Sequence, residues 1–153
     1  MPKRQSTREE WWAAGVQFEC QGSGRCCTSR GEFGYVYFSP ADRKRAAKVM
    51  GISERQFRDQ YCQQVENSWA LKEPEDKNPD CIFLRGNRCT IYEGRPTQCR
   101  TWPFWPEVMS AKAWNKGVAS YCPGVGKGPV ISADVIRPTL DEQAASDLAV
   151  ASE

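Results

Sequence analysis

Histidine is missing altogether from this chain of 153 residues. Its absence excludes Ser-His-Asp triads, Cys-His catalytic pairs, HExxH zinc chemistry and histidine-ligated haem, because each of these needs an imidazole. Any metal site must therefore be built from thiolates, carboxylates, backbone carbonyls or water.

Long apolar runs are also missing from the sequence. No stretch approaches the roughly 18 consecutive apolar residues of a membrane-spanning helix. Residues 1–4 carry positive charge, but polar residues follow and the only apolar stretch nearby is residues 11–14. A signal peptide needs an apolar region of about 7–15 residues. We therefore expect a cytoplasmic protein with no membrane partner.

A strong charge of either sign is the third feature that the sequence lacks. Lys and Arg number 21 and Asp and Glu number 19, so the formal net charge is only +2. Electrostatic capture of nucleic acid needs a much more basic surface, and we expect no nucleic-acid partner. A chain of this length is typical of one domain with a modest core.

Cysteine, by contrast, is abundant, with eight residues in the chain. In a reducing cytoplasm, a cysteine-rich protein is more often a metal or redox protein than one joined by disulfides. Cys62 falls inside a predicted helix and reads as a core residue. The other seven lie beside turn residues or at element ends, as metal ligands usually do, and they are the candidate ligands: Cys20, Cys26, Cys27, Cys81, Cys89, Cys99 and Cys122.

The pattern of apolar and capping residues predicts a mixture of short helices and strands. Ser39 and Pro40 open a helix that ends at Gly51, and Ser53 caps a second helix. Strands are predicted over residues 33–38 and 68–72 and a hairpin over 82–92, and helical segments follow at 95–102, 110–121 and 133–149. Residues 15–31 and the Gly124-x-Gly126-x-Gly128 segment read as loop and turn, and the last dozen residues are expected to fray.

Geometry leaves the grouping of the cysteines open. Cys26 and Cys27 are adjacent, and adjacent side chains usually point in different directions. In a regular hairpin, Cys81 and Cys89 would lie on opposite faces, so either Cys81 precedes the paired strands or the two serve different sites. Because seven thiols exceed the four that one centre needs, one centre with spare thiols and two centres both remain.

The residues around the cysteines suit an anionic centre. The candidate ligands are flanked by Arg25, Arg95 and Arg100, whose charge can offset that of four thiolates. The glycines at 22 and 24 allow backbone N–H groups to approach sulfur. The segment from Trp102 to Trp105 reads as core or as a shield against water. The basic run at residues 43–45 reads as a solvated helix face, and Asp42, Glu54 and Asp59 as capping or surface charges.

The cysteine blocks resemble a known family. Phe18-Glu19-Cys20, Gly24-Arg25-Cys26-Cys27, Cys81-Ile82-Phe83-Leu84, the segment from Cys89 through Arg95-Pro96 to Cys99-Arg100, and Cys122-Pro123-Gly124 are similar to the YkgJ-type cysteine-cluster family. This family is also called the CxxCxxCC family, a zinc- or iron-chelating domain. The resemblance covers roughly residues 18–126 and implies a cysteine-chelated zinc, iron or iron–sulfur centre.

One position departs from the motif of that family. Ser23 stands where the motif has a cysteine, so it is either a variant that does not bind the metal or an oxygen ligand. The cysteine blocks also resemble, in part, the cysteine-cluster portion of flagellin lysine methylases, which implies an iron–sulfur enzyme as an alternative.

Together these observations predict a small α+β domain with short helices, a β-hairpin and long loops around a cysteine-ligated centre. We expect a lead-in at residues 1–17, a metal-binding domain at 18–126 and a helical extension at 127–153. An iron–sulfur cluster is favoured over a zinc or iron ion, in a redox, metal-handling or accessory module with a protein redox partner. The alternatives are an iron–sulfur enzyme or subunit with methyl-transfer or radical chemistry, and a zinc-stabilised interaction domain. Whether the protein is an enzyme is left open by the sequence.

Overall fold

The fold combines short helices with three two-stranded antiparallel sheets, in a computed structural model that describes residues 10–23, 35–73 and 80–152. The α+β class predicted from the sequence is confirmed. The strands are β1 (Val16–Phe18), β2 (Cys62–Val65), β3 (Ser68–Leu71), β4 (Leu84–Arg85), β5 (Arg88–Cys89) and β6 (Val125–Ile131). The helices are α1 (Pro40–Met50), α2 (Glu54–Tyr61), α3 (Thr97–Thr101), α4 (Ala111–Ala113, continued by a π-helix over Trp114–Ala119) and α5 (Ala133–Ala151).

Helix α1 begins and ends where its capping residues predict. The Ser39 hydroxyl accepts a hydrogen bond from the backbone N–H of Asp42, and the Asp42 carboxylate accepts one from the backbone N–H of Ser39. Gly51 ends the helix in the left-handed conformation, with φ of 71°. This reciprocal cap satisfies two backbone donors that the first helical turn leaves unpaired.

The basic run at residues 43–45 is not a fully solvated face, and that prediction was wrong. Arg43 is buried; its Nε lies 2.7 Å from the Glu54 carboxylate, and its Nη1 donates to the Phe38 carbonyl. Arg45 donates to Asp42 at 2.7 Å. Two of the three basic side chains therefore fix α1 against its neighbours instead of offering charge to a partner.

Two separate hydrophobic cores hold the elements together. The first core is formed by the lead-in, α4, α5 and residues 103–109, which we call the Pro-rich segment. Its members are Trp12, Val16, Phe104, Val108, Met109, Trp114, Val118 and Ile136. The second core is formed by α1, α2, β2, β3 and the hairpin (Phe38, Ala46, Ala47, Phe57, Cys62, Leu71, Phe83 and Ile91). Phe57 and Tyr61, four residues apart, lie on one face of α2, with ring centroids 5.4 Å apart.

The strand predicted at residues 33–38 is reduced to an isolated bridge between Tyr37 and Ala70, with residues 33 and 34 outside the described part. The Phe38 N–H donates to the Trp69 carbonyl, and the Leu71 N–H donates to the Val36 carbonyl. The pairing with β3 stops there because Ser39 immediately caps α1.

A sheet replaces the loop and turn predicted around the glycines. Strand β1 pairs with β6 in the register Val16 to Ile131 and Gln17 to Val130, and then shifts so that Phe18 faces Val125. The shift is a bulge that the left-handed φ of 68° at Gly128 helps to form. The sequence alone did not predict these strands because glycines in such conformations break the alternating pattern of a regular strand.

The C-terminal helix α5 agrees with the prediction in its start and differs at its end. Ser132 precedes it in the extended conformation of an N-cap residue, although its side chain makes no capping hydrogen bond. The helix continues to Ala151, where fraying was expected. Val150 is buried and its carbonyl accepts a hydrogen bond from the Ser68 hydroxyl, which ties the helix end to β3.

The two predicted domain boundaries, after residues 17 and 126, fall inside β1 and β6, and these two strands pair with each other. The division at residues 17 and 126 stays a prediction. Across residues 10–23, 35–73 and 80–152, the structure contains no helix whose length and apolar composition would let it cross a bilayer.

Candidate metal centre

Five of the seven candidate ligands lie at the ends of strands or on short elements. Cys20 follows β1, and Cys122 precedes β6. Cys81 precedes the hairpin, Cys89 is its last residue, and Cys99 lies in α3. Cys20 is exposed and the other four are partly buried. Cys26 and Cys27 lie outside the described residues, and so do Gly24 and Arg25.

The sheet of β1 and β6 brings Cys20 and Cys122 to one place. Phe18 faces Val125, and beyond that pair the backbone N–H of Glu19 donates to the carbonyl of Gly124 at 3.1 Å. Cys20 is the residue after Glu19, and Cys122 precedes Gly124 by two residues. Two thiols from distant parts of the chain are thus held at the same end of one sheet.

The hairpin agrees with the first of the two alternatives for Cys81 and Cys89, in which Cys81 precedes the paired strands. Its pairs are Leu84 with Cys89 and Arg85 with Arg88, so Cys81 precedes the paired strands. A turn follows it, in which the Leu84 N–H donates to the Cys81 carbonyl at 2.9 Å. Because Cys81 is outside the regular strand, its side chain need not lie on the face of the hairpin opposite Cys89. Both cysteines pack against the second core.

Helix α3 carries Cys99 and is fixed from two sides by buried hydrogen bonds. On one side, the N–H and hydroxyl of Thr97 donate to the Asp42 carboxylate at 3.0 and 2.8 Å. On the other side, the Thr101 hydroxyl lies 2.6 Å from the Gln143 side-chain oxygen on α5. The helix is short, but these bonds hold Cys99 in a defined position between the two cores.

Sequence reasoning missed this buried polar network. Asp42 was interpreted as a cap alone, and it is that, but it is also 1% exposed and accepts bonds from a helix 55 residues away. The role of Asp42 as a cap could be predicted from the sequence, because Ser39 and Asp42 have the spacing of a helix cap. No local pattern marks the second role, because it depends on how α1 and α3 pack.

Cys62 is buried, as predicted, but it is not inside a helix. It ends α2 as its C-cap residue and begins β2, where it faces Leu71. Its side chain belongs to the second core, with 3% of its surface exposed. The helix ends at Tyr61, before Cys62, because the chain turns there into the strand pair with β3.

Of the three arginines expected to offset thiolate charge, the two that the structure describes, Arg95 and Arg100, have other partners. The Arg95 guanidinium lies 3.8 Å from the centroid of the Tyr92 ring, and its Nε donates to the Tyr92 carbonyl. Arg100 forms an ion pair with Glu142 on α5. Their positive charges are therefore largely committed to these contacts.

The aromatic segment after Cys99 packs as core, as predicted. Phe104 is buried in the first core and meets Phe18 edge-on at 6.2 Å. Trp102 and Trp105 form a T-shaped pair at 4.7 Å and, like Cys122, pack against that core. The indole N–H of Trp102 is buried and has no hydrogen-bond partner within the described part of the chain. A buried indole N–H usually has an acceptor.

The described residues contain no group of three or more Cys, Asp or Glu close enough together to hold a metal ion. Within residues 10–23, 35–73 and 80–152, the thiols therefore occur at separate positions, as the Cys20–Cys122 sheet end, the hairpin and α3. The chemistry of the donors, thiols without imidazole, fits metals that prefer sulfur, such as zinc and iron. The unpaired Trp102 N–H fits a nearby sulfur acceptor.

The comparison with protein families agrees with this donor set. Residues 19–123 match the family model CxxCxxCC, described as "Putative zinc- or iron-chelating domain". The matched range begins one residue before Cys20 and ends one residue after Cys122, so it contains all seven candidate ligands. No solved structure matches the chain significantly.

Proposed function

Because the chain belongs to the CxxCxxCC family of zinc- or iron-chelating domains, we propose that it holds a cysteine-ligated metal centre within residues 18–126. The proposed ligands are drawn from the cysteines that lie at element ends: Cys20, Cys26, Cys27, Cys81, Cys89, Cys99 and Cys122. The lead-in at 1–17 and the extension at 127–153 then support that unit through β1, β6 and α5.

The pairing of β1 with β6 is the observation that supports this proposal most. It holds Cys20 and Cys122, from opposite ends of the family match, at the same end of a sheet. Cys26 follows Ser23 by three residues, which is a reach of at most about 11 Å from the described part of the chain.

An iron–sulfur cluster is the form of the centre that we favour over a single zinc or iron ion. The donor set of thiols without imidazole suits a cluster, because cysteine thiolates hold the irons of most clusters. A cluster also presents sulfide and thiolate sulfurs that can accept the buried Trp102 N–H. The aromatic side chains beside Cys122 limit the access of water, which is one way in which proteins tune a cluster.

A cluster of this kind supplies one-electron transfer when it is bound. The chain's own residues would bind it through thiolates, donate hydrogen bonds to its sulfurs and keep water from it. The corresponding role is a redox, metal-handling or accessory module, with a protein redox partner, in a reducing compartment such as the cytoplasm.

An iron–sulfur enzyme is the second candidate, and one feature favours it. A cleft of about 440 Å³ opens beside α3, and Gln98, the neighbour of Cys99, is one of its lining residues. A small substrate in this cleft would lie near one of the proposed ligands. A redox module has no need of such a cleft.

Anaerobic purification followed by iron, zinc and acid-labile sulfide analysis tests the proposal. Iron and sulfide in comparable amounts, with broad visible absorption that bleaches on reduction, are the expected result. Stoichiometric zinc without iron would contradict the cluster and leave the cysteine-ligated centre. Protein that binds neither metal after reconstitution under reducing conditions would contradict the centre itself.

A further inference from the structure

The cleft beside α3 has a chemical character of its own. Its volume is about 440 Å³, within the range of small-molecule sites. The described residues that line it are three aromatic and four polar or acidic side chains: Tyr35, Tyr37, Gln98, Trp105, Glu107, Gln143 and Asp147. Three parts of the chain form it: the segment before α1, α3 together with the Pro-rich segment that follows it, and α5.

Two glutamines hold the walls of the cleft in place. The side-chain amide of Gln98 accepts the N–H of Tyr37 at 3.1 Å and donates to the carbonyl of Tyr35 at 3.5 Å. Gln143 is 3% exposed; it accepts a bond from Thr101 and donates to the Asp147 carboxylate at 2.9 Å. The backbone of Tyr35 and Tyr37 and the carboxylate of Asp147 are therefore held in place without a ligand.

The described residues that line the cleft carry charge of one sign only. Glu107 and Asp147 contribute two carboxylates, and none of the described lining residues is Lys or Arg. Partial burial raises the pKa of the Asp147 carboxyl, and the hydrogen bond from Gln143 offsets only part of this effect. A ligand that carries positive charge would relieve the cost of keeping Asp147 ionised.

The aromatic rings supply a second attraction for the same kind of ligand. The ring centroids of Tyr35 and Tyr37 lie 6.4 Å apart, in an edge-to-face arrangement, and both residues line the cleft. The indole N–H of Trp105 donates to the Gln98 carbonyl at 2.9 Å, which fixes the orientation of its ring. The faces of aromatic rings attract cations, and Trp and Tyr do so best.

We propose that this cleft binds a small organic ammonium ion, with Tyr35, Tyr37 and Trp105 around the cationic group and Glu107 and Asp147 neutralising its charge. Anionic ligands are disfavoured by the two carboxylates. A neutral apolar ligand would use the rings but would leave the carboxylates without a counter-charge. The proposal does not depend on which metal the cysteines hold.

Choline and its uncharged isostere 3,3-dimethyl-1-butanol test the proposal directly. The full-length protein, purified with its metal, is titrated with each compound at constant ionic strength, and the tryptophan indole N–H resonances are followed by NMR. The Trp105 resonance is assigned by its loss in Trp105→Phe. We expect choline to shift this resonance saturably and the isostere to bind at least about tenfold more weakly, since it lacks the charge.

Matched variants separate binding in the cleft from general attraction to an acidic surface. Glu107→Gln and Asp147→Asn are each expected to weaken choline binding about two- to fivefold, and the double variant about tenfold or more. Asp141→Asn removes an exposed charge on the same helix α5 outside the cleft, and it should leave the affinity unchanged. Equal binding of the two compounds, no saturable shift with choline, or equal losses in Asp141→Asn and Asp147→Asn would each overturn the proposal.

Discussion

At the scale of single residues, the cysteines differ in what surrounds them. Cys62 belongs to the second core, where its neighbours are apolar side chains. Cys99 lies on a helix that buried hydrogen bonds hold between the two cores. The same residue type therefore serves packing at one position and is proposed to bind metal at the other.

Substitution of each of these two cysteines by alanine makes a matched pair. Cys62→Ala is expected to keep its metal and to lose about 1–2 kcal/mol of unfolding free energy, the usual result of removing a buried group. Cys99→Ala is expected to lose metal, which metal analysis of both purified variants would measure. Equal metal content in the two variants would contradict the role proposed for Cys99.

Asp147 gives a prediction about pH. Because burial raises its pKa in the folded protein, the native state takes up the proton before the unfolded chain does, and the contribution of Asp147 to stability falls as pH rises. Asp147→Asn keeps an oxygen that can accept the bond from Gln143 and removes the charge. The variant should be at least as stable as the wild type at neutral pH, and this advantage should shrink in acid.

Denaturant unfolding of the wild type and Asp147→Asn from neutral to acidic pH measures this difference. Asp141→Asn is the control, since it removes a charge from the same helix. An advantage of Asp147→Asn that grows as the pH falls would contradict the assigned direction of the pKa shift.

At the scale of elements, the sheet of β1 and β6 positions Cys20 and Cys122, and Gly128 is essential to it. A Cβ built on Gly128 would lie 2.0 Å from the Glu19 carboxylate oxygen and 2.4 Å from the Glu19 Cβ. Gly126, in the same strand and also at positive φ, would meet nothing within 4 Å. Both positions carry the conformational cost of a left-handed residue, but only Gly128 adds a steric conflict.

Gly128→Ala and Gly126→Ala should therefore differ. Each is expected to lose about 1–2 kcal/mol of unfolding free energy for the backbone conformation. Gly128→Ala should lose more, and its metal affinity should fall because Glu19, the neighbour of Cys20, must move. Denaturant unfolding and competition with a chelator measure the two effects. Equal metal affinities would indicate that the sheet does not position the centre.

Elements with local signals were predictable from the sequence, and those that depend on distant contacts were not. Ser39, Asp42 and Gly51 mark both ends of α1, and Gly86-Asn87 marks the hairpin turn that the structure contains. The strands β1 and β6 were missed because their glycines resemble a loop. The burial of Arg43 was missed because it depends on Glu54 in the next helix.

The features of the candidate site also divide into those that the sequence predicted and those that it did not. The identity of the candidate ligands followed from the cysteine blocks, since thiols beside turns are visible in the sequence. The position of Cys20 and Cys122 at the same end of one sheet did not follow, because it depends on the pairing of β1 with β6, which the sequence did not reveal. The cleft lined by Tyr35, Trp105 and Asp147 was also invisible, since its walls come from three separate parts of the chain.

At the scale of the whole molecule, we expect the two hydrophobic cores and the proposed metal centre both to contribute to the free energy of unfolding. A structural zinc site contributes on the order of 10–16 kcal/mol of apparent binding free energy, as much as the total stability of a typical domain, about 5–15 kcal/mol. Removal of the metal should therefore unfold much of residues 18–35 and 78–125. The helices α1 and α2, which contain none of the proposed ligands, should survive longer.

Thermal melting with and without a chelator, followed by hydrogen exchange, measures this loss. We expect a large fall in melting temperature and a loss of protection in the segments that contain the proposed ligands. Identical melting curves with the metal demonstrably removed would contradict a structural role for the centre.

X-ray absorption at the iron and zinc edges of the purified protein tests the central claim most directly, since it reports the atoms bound to the metal. The account predicts a coordination shell of sulfur alone, at about 2.3 Å for either metal. Iron neighbours around iron would identify the favoured cluster. A shell made mainly of nitrogen or oxygen would contradict the claim that cysteines bind the metal.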